Sequence, residues 1–329
     1  MRFGIALPHY DYSFPEGPEP VRLQRVLDTA RRAEELGFSS AWISDHFFLS
    51  LAKYGAGDTV HGALEPFLAL SAIATQTTDL RLGTLVVGAG FRHPSMIAQQ
   101  AASLDRISAG RFELGLGAGW YEEEFGPFGL PFGTVGERFD VLERTTEIVS
   151  ALRGGTPVES VQPALDGATV LAPVRERWPI WIGAKGGPRA MRLVARCADG
   201  WNASWRWTPE TYRDRLEVLT RACEEAGRDP ATVRRSVGLY CLVGSDEADL
   251  AGRFRNLQAW TPGGALDTTA LQEFAADTLT GTPAQLAEQV AAWDALGVEE
   301  IVLNLASMPF AMSSDEQLDL AAAVVLQAG

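Results

Sequence analysis

Three short stretches carry residues whose types and spacing could do chemistry. The first is "PIWIGAKGGPRAMRLVARCADGW" (179–201), where a hydrophobic strand runs into Gly183-Ala184-Lys185-Gly186-Gly187 and Pro188 opens a helical pattern. Glycines let backbone N–H groups approach an oxyanion, a helix N-terminus adds its dipole, and Lys185 can add a full charge. That combination points to a phosphate, with a ligand-free strand–helix turn as the plain alternative. Lys185 is one of only two lysines among 28 Lys and Arg residues; the other is Lys53. The second stretch, "LGLGAGW" (114–120), holds G-x-G-x-G after a strand. A dinucleotide fingerprint needs G-x-G-x-x-G running directly into a helix. Here Trp120, Tyr121 and Glu122-Glu123-Glu124 follow, so close approach of backbone near Gly117 to a flat ring is the better use, unless the glycines merely fit a barrel mouth. The third, "ISDHFF" (43–48), sets Asp45 beside His46. Histidine is the side-chain type suited to proton transfer near neutral pH, although one at a strand end can equally be structural.

No metal site is expected. His9, His61 and His93 are scattered, and Cys197, Cys223 and Cys241 form no CxxC or Cys/His cluster. The glutamate run reads as a solvated helix start, and the sequence does not choose which member faces a pocket.

The elements that must position these residues alternate. Strands are expected at 2–8, 39–46, 80–88, 111–119, 179–184, 200–204, 235–245 and 299–306. Helical patterns follow them, for example "VRLQRVLDTARRAEELG" (21–37) and "PSMIAQQAASLDRIS" (94–108). Eight βα units in 329 residues favour a (β/α)8 TIM barrel, as a single domain over 1–329, above an open sheet. Long segments after strands 2, 4 and 7 (47–63, 120–135 and an irregular insertion at 246–280) belong on the C-terminal face, where barrels build their sites. A small hairpin is expected around Asp166-Gly167.

The net charge of −14 argues against nucleic acid or an anionic membrane as partners. It also requires any anionic ligand to be held by a local basic pocket. No stretch has the apolar length of a membrane span, and the first twenty residues do not read as a secretory signal, so a cytoplasmic protein is expected. The expected partner is a small-molecule substrate, and a homodimer is compatible with the reading.

Taken together, "AEELGFSSAWISDHF" (33–47), "LRLGTLVVGAGFRHP" (80–94), "AASLDRISAGRFELGLGAGWYEEEF" (101–125), "GERFDVLE" (136–143) and "PIWIGAKGGPRAMRLVARCADGWN" (179–202) resemble the bacterial-luciferase-like superfamily of flavin and deazaflavin (coenzyme F420) oxidoreductases. The likeness runs over most of the chain. It implies a tricyclic ring at the barrel mouth, contacted by the segment Ser44-Asp45-His46. It implies a bulge in the third strand, around Leu85, Val86 and Gly88, with a non-prolyl cis peptide at Leu85–Val86. It implies a cofactor phosphate at Lys185, Gly186 and Gly187, with Asn202 and Ser204 lining the same tail. Where deazaflavin-dependent sugar-phosphate dehydrogenases of the superfamily carry a glutamate, this chain has Trp120; where they carry a tryptophan, it has Ser50. Sugar-phosphate oxidation is therefore not expected. The resemblance instead implies hydride transfer between F420 and an activated C=C or C=O group. Monooxygenation with reduced FMN and oxygen, or flavin binding without catalysis, stand as alternatives. His46 is the candidate proton donor and Trp120 a wall of the catalytic pocket. Phe125, Trp205 and Trp207 suggest that the pocket is apolar or aromatic.

Overall fold

The computed structural model describes residues 1–14, 20–154, 165 and 167–328; the hairpin expected at Asp166-Gly167 lies partly outside them. Among the described residues there are twelve strands: β1 (Arg2–Ala6), β2 (Ser40–Ile43), β3 (Phe48–Ser50), β4 (Val60–Gly62), β5 (Arg81–Thr84), β6 (Val87–Gly88), β7 (Phe112–Gly117), β8 (Ile180–Gly183), β9 (Gly200–Trp205), β10 (Arg234–Val243), β11 (Leu279–Gly281) and β12 (Glu300–Asn304). The helices are α1 (Leu23–Glu35), α2 (Pro66–Ala74), α3 (Pro94–Ile107), α4 (Val135–Gly154), α5 (Pro188–Cys197), α6 (Pro209–Glu225), α7 (Glu247–Trp260), α8 (Leu271–Ala275), α9 (Pro283–Asp294) and α10 (Asp315–Ala328).

Eight strands pair in parallel in the order β1-β2-β5-β7-β8-β9-β10-β12, and β12 returns to β1, so the barrel closes. They are the eight expected from the alternation. Apolar residues of the strands and of the surrounding helices join in one buried core, which is why a strand–helix rhythm specifies this architecture.

The floor of the barrel is polar. Glu113, Glu300 and Arg81 stand at strand starts and meet inside. Arg81 Nη1 lies 2.8 Å from Glu113 Oε1, and its other terminal nitrogen pairs with Glu300. Trp181 Nε1 donates to Glu113 at 2.7 Å, and Arg234 approaches the same carboxylate at 3.3 Å. Burial raises the Glu113 pKa, but the Arg81 and Arg234 guanidiniums outweigh it and hold the carboxyl below its ordinary value. Above this cluster Trp42 and Trp181 pack edge to face at 6.1 Å. Gly83 and Gly200 make room for them, since a Cβ at either would lie 2.2 Å and 2.4 Å from an indole.

One expectation needs correcting. The insertion at 246–280 is ordered, not irregular: it holds α7, α8 and β11, and β11 pairs in parallel with β10. Asp246 caps α7 by accepting from Asp249 N, and Leu250, Phe254 and Leu257 form its buried face at helical spacing. Segment 47–63 is a short antiparallel hairpin, β3 with β4, around a 3-10 turn. Gly263 of the insertion packs against this hairpin, where a Cβ would lie 2.7 Å from the Ala56 backbone.

Candidate active site

The C-terminal mouth carries three adjoining cavities. A small one, about 120 Å³, is bordered by Tyr10, His46, Val86, Trp120, Glu124 and Phe310. A second, about 490 Å³, runs from Leu85 and Val86 past Gly117 to Lys185, Gly187, Asn202 and Ser204. The third, about 690 Å³, lies toward the insertion. Trp120 and Trp205 border all three. The residues expected at the site border these cavities, Gly186 and the aromatics Phe125 and Trp207 apart; Phe125 and Trp207 are buried and line none of the three.

The third-strand bulge divides the first two cavities. The peptide between Leu85 and Val86 is cis, as the resemblance implied, and so is that between Ser204 and Trp205. Val86 sits on bare backbone: a Cβ at Gly117 would lie 2.4 Å, and at Gly183 2.6 Å, from its methyl groups. At Gly115 a Cβ would lie 2.1 Å from the Thr84 carbonyl. This is a packing role that the sequence did not show. The glycines first seat the bulge, and Gly117 then also borders the 490 Å³ cavity.

At the glycine turn the structure separates three residues that the sequence groups. Gly187 precedes α5, no side chain caps that helix, and nothing lies within 4 Å of a Cβ built there. An uncapped first turn opening onto a cavity suits an anion. Gly186 does a different job: it adopts φ +74° and makes room for the stem of Arg215. Lys185 reaches across to donate to the Ser204 carbonyl and lies over the Trp207 ring at 5.4 Å. The surrounding protein desolvates its ammonium and lowers its pKa, although the side chain keeps an open face. Asn202 donates to Ser236 Oγ at 2.6 Å and accepts from Ser204 Oγ at 2.8 Å, so the two tail-lining residues are locked together. The bare turn, the uncapped helix and the bulge fit a ring bearing a phosphate tail.

Asp45 is engaged. Its carboxylate takes both Arg92 terminal nitrogens, at 2.5 and 3.0 Å, and the Gly88 N–H at 3.1 Å. Asp45 thus ties β2 to the bulge and borders the small cavity without a free carboxylate.

His46 is organised by a residue that the sequence could not select. Glu124, 1% exposed, accepts from His46 Nδ1 at 2.8 Å and from the Phe47 N–H at 2.9 Å. Glu122 and Glu123 face outward, and Glu123 pairs with Lys53 at 3.3 Å. Nδ1 therefore carries the proton toward Glu124, and Nε2, with no hydrogen bond among the described residues, is left for the cavity. Trp120 stands edge-on to His46 at 5.7 Å and offers no titratable proton.

A second polar chain backs the site. His9 Nδ1 donates to the Leu7 carbonyl at 2.8 Å. Its Nε2 then accepts from Ser44 Oγ at 3.1 Å, and Ser44 accepts from Tyr10 Oη at 2.6 Å. Burial lowers the His9 pKa to about 4, so the ring is neutral and this direction is fixed. Tyr10 was signalled only by its place at the end of the first strand.

Among the described residues no His/Cys/Asp/Glu group could hold a metal, and no helix is long and apolar enough to cross a membrane.

The chain is similar to known proteins. A family model described as luciferase-like monooxygenase matches residues 1–300. A phthiodiolone/phenolphthiodiolone dimycocerosates ketoreductase of Mycobacterium sp. (strain JLS) is 33% identical over 248 residues, covering 68% of this chain and 64% of the relative. An F420-dependent glucose-6-phosphate dehydrogenase of Nakamurella multipartita is 34% identical over 225 residues, covering 67% and 64%. The match thus spans less than two thirds of either relative. The solved structure of an F420-dependent secondary alcohol dehydrogenase in complex with an F420-acetone adduct superposes with TM-score 0.73 at 18% identity, covering 98% of both chains, a likeness of fold. With its family match running through the barrel, the bulge and the glycine turn, the chain belongs to the luciferase-like monooxygenase family.

Proposed function

We propose that this protein is an F420-dependent oxidoreductase that moves a hydride between the cofactor and a C=O or activated C=C group of a small organic substrate. The observation that supports this most is the bulge at Leu85–Val86, seated on Gly117 and Gly183, with a cavity leading from it to the uncapped start of α5. Relatives named as F420-dependent favour F420 over FMN.

When bound, reduced F420 supplies the hydride. The Gly187 turn and the first N–H groups of α5 would hold its phosphate, and Asn202 and Ser204 would line its tail. Leu85 and Val86 would support the ring from behind. His46 would hold the proton that a substrate oxygen takes up, delivering it from Nε2 while Glu124 keeps Nδ1 protonated and stabilises the ring when charged. Trp120 and Trp205 wall the reacting end and limit water.

Titration with F420 and FMN, read by tryptophan fluorescence, tests the cofactor. Tighter binding of F420 by about tenfold or more, about 1.4 kcal/mol, is expected. Anaerobic oxidation of reduced F420 by a panel of ketones and enones tests the reaction. Preferred binding of FMN, with oxygen-dependent turnover, would move the protein to the monooxygenases.

A further inference from the structure

The third cavity has a basic lining in an acidic protein. Both of the chain's lysines, Lys53 and Lys185, border it together with Arg206, against one carboxylate, Glu273. The whole chain, by contrast, has a net charge of −14. Lys53 is paired with Glu123, and Arg206 with Asp277 at 2.6 Å. Lys185 meets no carboxylate among the described residues; its one hydrogen bond goes to the Ser204 carbonyl, and an ammonium has three donors.

A second observation points into the same space. Tyr240, 3% exposed, stacks on Trp205 at 5.9 Å, borders the cavity and makes no hydrogen bond among the described residues. Unlike the Tyr212 hydroxyl, which is enclosed without a partner, that of Tyr240 opens onto the cavity with its hydrogen-bonding capacity unused.

We infer that this cavity receives a substrate bearing a carboxylate or similar oxyanion, bound by Lys185 with Lys53 at the outer rim. An oxygen of the same group accepts from the Tyr240 hydroxyl. Its apolar or aromatic body lies along Trp120 and Trp205, which bring the reducible end to His46. This rests on the oxidoreductase reading, in which the space beyond the ring is the substrate's. It reassigns Lys185 from the cofactor phosphate, which the uncapped start of α5 can hold, to the substrate.

The test uses 4-oxo-4-phenylbutanoate, an aromatic ketone with a carboxylate, and its neutral primary amide. Each is titrated calorimetrically into the protein with and without F420. The carboxylate is expected to bind tighter than the amide by about tenfold or more, the scale of one charge-assisted contact. Lys185→Met should abolish that preference and leave F420 affinity within about twofold; Lys185→Arg should retain the preference. Tyr240→Phe should weaken both probes alike. Equal binding of the two probes to the unaltered protein, or no binding of either, overturns the inference. So does a Lys185→Met protein that keeps the preference and loses F420 affinity, because the lysine then holds the cofactor phosphate. A protein that prefers the carboxylate but does not bind F420 supports the anion site and refutes the F420-dependent reading, so the two failures are distinguishable.

Discussion

Replacing Glu124 with glutamine tests how the proton is held. The Glu124 carboxylate, 1% exposed, accepts two hydrogen bonds, from His46 Nδ1 at 2.8 Å and from Phe47 N at 2.9 Å. A glutamine amide has only one acceptor oxygen, so one donor meets an N–H₂ group. The Phe47 N–H is fixed by the backbone, so the oxygen goes there and the imidazole loses its partner. The amide N–H₂ then faces Nδ1, the ring takes the neutral Nε2–H tautomer, and the charged imidazolium that delivers the proton loses the carboxylate that stabilises it. The loss is one charge-assisted hydrogen bond in the transition state, about 1.5–3 kcal/mol, or about 10–150-fold in kcat. F420 affinity should change little, since Glu124 borders the small cavity and not the one leading to α5. The assay is steady-state oxidation of reduced F420 across pH, with F420 affinity measured separately. His46→Ala should cost about 10²–10⁴-fold, and the double variant should be no worse than His46→Ala, because Glu124 acts through the ring. If Glu124→Gln turns over at the unaltered rate, or if the two losses add in full, the His46–Glu124 pair does not deliver the proton.

Two further outcomes follow from the same geometry. Gly117→Ala places a Cβ 2.4 Å from a Val86 methyl, so the bulge must move; F420 should bind about tenfold or more weaker, at a cost in stability of about 1–3 kcal/mol, and unchanged affinity in a fluorescence titration would detach the bulge from cofactor binding. His9 must be neutral in the fold, with a pKa of about 4 against 6.5 when unfolded. The unfolded chain therefore binds more protons below pH 6.5, and the stabilising contribution is complete above that pH and lost as pH falls toward 4. The loss is about 2 kcal/mol by pH 5. Melting temperatures measured from pH 7 to pH 5 should fall more steeply for the unaltered protein than for His9→Asn, and parallel slopes would show that His9 is not the titrating group.

The barrel was legible because strand and helix periods differ, and eight alternations in one chain have few ways to close. The bulge and the glycine turn were legible as motifs, but their division of labour was not. Gly186 and Gly187 are adjacent and identical in type; only the packing of Arg215 against one and the open space beside the other distinguish them. Glu124 is hidden for a similar reason. Three consecutive glutamates differ only in which way a 3-10 turn points them, and that follows from the meeting of two loops 77 residues apart, at Phe47 N. Arg81, Glu113 and Glu300 each look like a solvated charge at a strand start until closure of the barrel brings them together. The helix α7 was within reach, since Leu250, Phe254 and Leu257 have helical spacing.

In the function proposed, cofactor and substrate are held by different kinds of element. The bulge, the glycine seat and the anion turn come from β5, β7, β8 and the start of α5, which are fixed by barrel closure. The groups around the third cavity come from strand ends and from loops: Lys53 and Tyr54 from the segment after β2, Trp120 from that after β7, and Leu266, Thr269 and Glu273 from the insertion after β10. Loops can change without disturbing the barrel, so substrate choice can vary while the cofactor seat stays the same. Trp120, Lys185, Ser204 and Trp205 border both of these cavities, and Lys185 is the charged one among the four. A lysine there can respond to both ligands, since its bond to the Ser204 carbonyl ties it to the residue locked onto Asn202 at the cofactor tail. Substrate charge and cofactor occupancy are then coupled through one ammonium, and binding an anion in the larger cavity should tighten F420 by the same factor that F420 tightens the anion.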